Sequence, residues 1–169
     1  MSAETGYCIR SARDADLADI LRIYNYYVEN TQSTFDLEPF DLEGRKEWLH
    51  GFSTSGRYRL FVAMVDNIVI GYASSSRFRS KPAYDPLVET TVYLDPDHVG
   101  RGLGGALYKE LFAALETEDV HRAFAGVALP NPASQKLHEH FGFRLVGTFS
   151  DAGRKFGRYW DISWYEKAF

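Results

Sequence analysis

A single cysteine among 169 residues excludes an internal disulfide, so packing and hydrogen bonding must hold this chain together without covalent staples. No apolar run approaches the ~20 residues of a membrane helix, which excludes a helical span. An excess of positive charge is also missing. Nineteen Lys and Arg against 23 Asp and Glu give a formal net charge of −4, whereas a general nucleic-acid binder would carry a basic face. Met1 to Tyr7 contain acid and no apolar core, unlike a secretory leader, so the expected compartment is the cytoplasm. No Gly-Lys-Ser/Thr follows the glycines, which excludes a P-loop. Cys8 lies in Tyr7-Cys-Ile-Arg-Ser11, the pattern of a short first strand, and is expected to pack in the core rather than act as a nucleophile.

What is present is a packed globule: 45% hydrophobic and 15% aromatic residues, with no repeat, linker or low-complexity tract. A chain of this length buries ~70% of its unfolded surface, and one domain over 1–169 is expected. Ser11-x-x-Asp14 resembles a capping box, and Leu17, Ile20, Leu21, Tyr24 and Val28 recur at helical spacing up to about Asn30. Leu42, Trp48, Leu49 and Phe52 predict a second, weaker helix, with Gly44 counting against it. Leu60 to Val65 and Ile68 to Ser74 flank Asp66-Asn67, a pair suited to a tight hairpin turn. Val88 to Leu94 alternates Val88, Thr90, Val92 and Leu94 against Glu89, Thr91 and Tyr93.

Leu103, Leu107, Leu111, Ala114 and Leu115 mark a strong helix, and Arg122 to Leu129 an apolar strand. Strand, glycine turn, helix and strand in that order make a parallel βαβ crossover. Asn131-Pro132 caps a short helix that Gly142 stops, on which Ser134 and His138 share a face. Phe143 to Thr148 and Arg158 to Tyr165 are the last two strands. The expected order is β-α-α-β-β-β-α-β-α-β-β, a mixed α/β fold with a mostly antiparallel sheet.

The densest signal is Val99-Gly-Arg-Gly-Leu-Gly-Gly105. Gly100, Gly102, Gly104 and Gly105 let the backbone take positive φ and approach a ligand, and the following helix start offers unpaired N–H groups to a diphosphate. The same glycines meet the spacing of a dinucleotide fingerprint, but no acid closes the next strand, where Phe124 to Asn131 carries none. That counts against a nucleotide-dependent oxidoreductase.

Taken in order, these residues resemble the GCN5-related N-acetyltransferase (GNAT) family over nearly the whole chain. The acetyl-CoA loop pattern Gln/Arg-x-x-Gly-x-Gly/Ala falls on Val99 to Gly104, and the later Asn and Leu-Tyr-Glu-x-x-Gly-Phe pattern falls on Asn131 and Leu137-His-Glu-His-Phe-Gly-Phe143. Val99 replaces the usual Gln or Arg, and His138 replaces the tyrosine that usually protonates the departing thiolate. With Ala83-Tyr-Asp-Pro-Leu-Val-Glu-Thr-Thr-Val-Tyr93 and Leu129-Pro-Asn-Pro, the second departure resembles the phosphinothricin and methionine sulfoximine acetyltransferases. The resemblance implies a central, mostly antiparallel twisted sheet of about seven strands with four helices. It also implies acetyl-CoA as co-substrate, a small glutamate-like amino acid as acceptor, and a homodimer.

Amine acetylation needs a base for the ammonium, donors for the oxyanion and a proton for the sulfur. Glu89 is the expected base, the plainer alternative being a structural acid paired with an arginine. His138 titrates near neutral pH and is expected to be an acid or base, or else a packing residue. Backbone groups of Val92, Tyr93 and Leu94 are expected to face the thioester; Val99, Gly100, Arg101, Gly102, Leu103, Gly104, Gly105, Asn131 and Ser134 complete the cofactor set. Arg77, Arg79, Lys81 and Tyr84 form a cationic, aromatic segment suited to a carboxylate or phosphinate, with Phe35 as an apolar wall. His140 lies two residues beyond His138, so a metal pair on this helix is geometrically poor and no metal is expected. The competing readings are acetylation of a peptide N-terminus or polyamine, and a non-catalytic CoA-binding module.

Overall fold

The computed structural model describes residues 6–169; Met1 to Thr5, part of the stretch read for a leader, lie outside them. In chain order the elements are β1 (Cys8–Ser11), α1 (Leu17–Asn30), α2 (Leu42–His50), β2 (Leu60–Val65), β3 (Ile68–Arg77) and β4 (Leu87–Leu94). Then come α3 (Leu103–Leu115), β5 (Arg122–Ala128), α4 (Pro132–His140), β6 (Arg144–Lys155) and β7 (Arg158–Ala168). The strands form one seven-stranded sheet of order β1-β2-β3-β4-β5-β7-β6, parallel between β4 and β5 and antiparallel at the other pairings. Among the described residues no helix is long and apolar enough to cross a membrane.

Each face of the sheet has its own core. Helix α1 lays Leu17, Ile20, Leu21, Ile23, Tyr24 and Val28 against Val62, Val69 and Tyr72 on one face. Helix α3 lays Leu107, Leu111 and Leu115, all fully buried, on the other, where each contributes roughly 1.5–3 kcal/mol of apolar burial. The β2–β3 turn has φ of 49° at Asp66 and 66° at Asn67, the left-handed pair a two-residue hairpin requires. At α2, Asp41 accepts from the Gly44 N–H at 2.7 Å, and a Cβ on Gly44 would lie 3.0 Å from that carboxylate. The glycine that weakens the helix by propensity makes room for its cap.

Four expectations need correction. The cap before α1 is not Ser11-x-x-Asp14: Asp16 accepts from the Arg13 N–H at 2.7 Å and from the Arg10 guanidinium, and the α-helix starts at Leu17 after a 3₁₀ turn. Cys8 is exposed, because β1 is the sheet edge and Cys8 is its first residue. Only Gly100 and Gly102 of the four loop glycines have positive φ, 75° and 76°; Gly104 and Gly105 already belong to the first turn of α3. Strands β6 and β7 run well past Thr148 and Tyr165, because register irregularities at Leu145/Gly147 and Phe149/Gly153 erase the period-two pattern.

Candidate active site

The site is organised by where β4 loses a neighbour. It pairs with β5 only through Leu87, Val88 and Glu89, while its pairing with β3 continues to Leu94. From Thr90 onward one edge of β4 therefore has no ladder partner, and its free backbone groups border the cleft between the diverging strands. Val92, Tyr93 and Leu94 lie on this stretch. The Leu94 carbonyl is taken by the Tyr27 hydroxyl at 2.7 Å.

Glu89 is the last residue of β4 paired to β5, opposite Phe124. It is half-buried, and burial pushes its carboxyl above the ordinary carboxylate range, with the Arg79 guanidinium pulling the other way. Arg79 sits 4.6 Å over the Phe78 ring, and Phe78 stacks on Phe124 at 4.3 Å. A cation and two stacked rings thus stand beside a desolvated carboxylate. Neither Phe78 nor Phe124 was singled out in sequence; Phe124 is legible only as the one large residue between Ala123 and Ala125.

The other cations of that segment are placed differently. Arg77 belongs to β3, where its guanidinium lies 3.6 Å from Asp85 and 3.4 Å from the Tyr58 hydroxyl. Lys81 and Tyr84 are exposed, with Tyr84 edge-on to Phe78 at 6.3 Å. Phe35 packs on the β6–β7 hairpin, where a Cβ on Gly153 would fall 2.4 Å from its ring. Beside it, the Tyr24 hydroxyl donates to Asp36 and lies 2.8 Å from Thr34, and burial together with Asp36 pushes that phenol up to about 12.

The glycine loop fits a diphosphate. Gly100 and Gly102 adopt left-handed φ, added Cβ atoms there would meet nothing within 4 Å, and the first helical bond runs from Ala106 N–H to Gly102 O. The N–H groups of Leu103, Gly104 and Gly105 therefore precede the ladder and remain available. Arg101 and Val99 are exposed beside them. The loop is held from below by buried Asp95, which accepts from the Asp97 N–H at 3.0 Å and pairs with Arg22. Burial works against the Asp95 carboxylate, but Arg22 and the Asp97 N–H overcome it and hold it below its usual range.

On the far wall, Asn131 caps α4 by accepting from the Ser134 N–H at 3.1 Å. His138 is buried on α4, edge-on to Tyr108 of α3 and stacked on Tyr165 of β7. Its Nδ1 is 2.7 Å from the Ser134 carbonyl and its Nε2 is 3.0 Å from the Tyr108 hydroxyl. Burial pulls the imidazole below its usual value, the Ser134 carbonyl opposing. Tyr108 was missed in sequence, although its place one turn after Gly104 and one before Phe112 marks it as inward. Among the described residues no three His, Cys, Asp or Glu side chains gather as for a metal.

Residues 9–164 match the Acetyltransferase (GNAT) domain family. The chain is 52% identical over 161 residues to a phosphinothricin N-acetyltransferase of Streptomyces coelicolor, covering 94% of each. It is 34% identical over 158 residues to an L-methionine sulfoximine/L-methionine sulfone acetyltransferase of Pseudomonas paraeruginosa, covering 94% of this chain and 92% of that protein. The crystal structure of a GNAT superfamily phosphinothricin acetyltransferase from Sinorhizobium meliloti in complex with AcCoA superposes with a TM-score of 0.92 at 32% identity, covering 98% of this chain and 89% of that one. A diverging parallel strand pair, a left-handed glycine turn at a helix start and this breadth of similarity lead to one assignment: the chain belongs to the GNAT family of acetyltransferases.

Proposed function

We propose that this chain transfers acetyl from acetyl-CoA to the α-amino group of a small glutamate-like amino acid analogue, such as phosphinothricin or methionine sulfoximine, by direct attack in a ternary complex. The observation that carries the reading is Glu89: a half-buried carboxylate with raised proton affinity, at the point where β4 and β5 part, with Arg79 and a stacked aromatic pair beside it.

The amine must lose a proton before it attacks, and Glu89 takes it, directly or through one water. Arg79 supplies a planar cation for the acceptor's carboxylate or phosphinate, and Phe78 and Phe35 form apolar walls. The amide groups of Leu103 to Gly105 cradle the diphosphate, and the unpaired edge at Val92 to Leu94 offers fixed donors where the oxyanion develops. Bound acetyl-CoA would supply the thioester that is attacked. Val99 gives no side-chain donor, so the grip on phosphate is chiefly by backbone. The composition supports a cytoplasmic enzyme. The exposed edge strand β6, with Leu145, Val146 and Phe149 at 53%, 56% and 64% exposure, supports a homodimer.

The test is an acceptor panel read by CoA thiol release, comparing phosphinothricin and methionine sulfoximine with a peptide N-terminus and a polyamine. Turnover of the two anionic analogues supports the reading; turnover of the peptide or polyamine alone overturns it. Arg79→Ala should raise KM for the anionic analogues roughly tenfold, the worth of one charge-assisted contact. An equal rise for neutral amines would remove Arg79 from acceptor recognition.

A further inference from the structure

On the cofactor side of the sheet a polar pair sits inside a largely apolar core. Tyr108 is fully buried on α3, and His138 is 4% exposed on α4. The hydrogen-bond pattern fixes the tautomer. A carbonyl only accepts, so Nδ1 of His138, 2.7 Å from the Ser134 oxygen, carries the proton. Nε2 then has only a lone pair, so the Tyr108 hydroxyl at 3.0 Å donates to it. The Thr90 hydroxyl, on the β4 residue after Glu89, donates to the Phe124 carbonyl at 3.4 Å.

We propose that Tyr108 is a positioning residue: it holds His138 as the neutral, Nδ1-protonated tautomer and ties α3, which carries the glycine loop, to α4 beneath the open end of β4. His138 is thereby withdrawn from acid–base chemistry, and the pH dependence of acetyl transfer belongs to Glu89. Both ring nitrogens are already engaged, so no proton can pass between His138 and a substrate without breaking one of these bonds. Apart from the Ser134 carbonyl and, at 3.4 Å, the Ser134 hydroxyl at Nδ1, the ring's neighbours are aromatic. Tyr165 of β7 stacks on the ring at 5.9 Å and Phe143 meets it edge-on at 5.1 Å. Gln135 of α4 is turned to the Tyr165 hydroxyl at 3.1 Å. On β7 the cation Lys167 lies over the Phe112 ring at 5.9 Å. Glu89 is the acid on β4, and its charge works against ionisation of the Tyr108 phenol.

The kinetic part of this inference rests on the proposed acetyl transfer; the spectroscopic part does not. Nitrogen-15 spectra of the full chain should show His138 as the Nδ1–H tautomer with no titration from about pH 5.5 to 8, where an ordinary histidine changes charge. Tyr108→Phe removes the donor to Nε2, so the His138 titration should move up toward the ordinary range, and kcat should fall more than the KM for the acceptor rises. His138→Gln keeps an acceptor for Tyr108 but has no ionisation. It should retain the acid limb of kcat/KM unchanged in position. A titrating His138 in the unaltered chain, an unchanged spectrum in Tyr108→Phe, or an acid limb that disappears in His138→Gln would each overturn the proposal. If Tyr108→Phe fails to fold, His138→Gln and the unaltered chain still decide it. If the chain acetylates none of the acceptors, the function reading fails while the spectra still test the lock.

Discussion

On one face of the sheet β4 shows Glu89, Thr91 and Tyr93 to a setting rich in hydroxyls and charge; on the other it shows Val88, Thr90, Val92 and Leu94 to a nearly dry core. The first face gathers Tyr24, Tyr27, Tyr72 and Tyr93, whose phenols burial pushes upward, together with Asp36 and Arg79. The second holds Leu107, Leu111, Phe112 and Phe143 around the polar pair Tyr108 and His138. The difference divides the labour. In the proposed function the wet face recognises a small polar acceptor and moves its proton, and the dry face holds the cofactor loop and its helix.

The sharpest way to break that comparison is Glu89→Gln, which should lower turnover by roughly 10²–10⁴ while leaving acetyl-CoA binding intact. The same change should stabilise the fold near neutral pH. Glu89 has a raised proton affinity when folded, so its contribution to stability is present below the unfolded carboxylate value and is lost as pH rises through the folded one. Thermal melts should therefore show a higher Tm for the variant near neutrality, with the gap closing as pH falls through the carboxylate range. Near-normal turnover across pH would mean that the wet face recognises without catalysing.

Gly102→Ala tests the other side. An added Cβ would meet nothing within 4 Å, so its cost is the φ of 76° itself, about 1–2 kcal/mol for an L-residue. If the turn relaxes to relieve that strain, the N–H cradle moves with it, and the KM for acetyl-CoA should rise roughly tenfold with the acceptor KM unchanged. A rise in the acceptor KM alone would contradict the division between the faces.

How far each face could be read from sequence follows from its materials. The dry face is periodic, so the α3 and β4 patterns announce it, and the glycine turn lies at a strand-to-helix junction that leaves little choice. Yet the same periodicity hid Tyr108, whose hydroxyl is invisible in a pattern that scores it as one more inward residue. The wet face depends on long-range docking. Arg79 is the better carboxylate candidate of its segment in sequence, but nothing local says that β3 runs three residues past Ser74 and commits Arg77 to Asp85 while the Arg79 charge acts on Glu89. Nor does any local signal tell that a hairpin more than a hundred residues away holds the loop carrying Phe35.

That hairpin provides the gentlest test. Lys155, 4% exposed near the end of β6, donates to the Thr34 carbonyl at 2.9 Å and to Tyr27 O at 3.4 Å. The Tyr27 carbonyl also accepts from the Thr31 N–H at 3.2 Å, so in Lys155→Met only Thr34 O is orphaned while the side-chain stem stays filled. Loss of that partner costs about 1–2 kcal/mol, partly offset because a buried ammonium is removed. Burial holds the lysine below its ordinary value, with Asp36 opposing, so the unfolded chain binds the extra proton and the native fold gains stability as pH rises toward the usual lysine range. The stability difference between the unaltered chain and the variant should accordingly widen with pH above neutrality. The acceptor KM should rise severalfold as Phe35 loses its anchor, and the acetyl-CoA KM should stay put. A matching rise in both constants would mean that the hairpin supports the whole cleft and that the two faces are not separable.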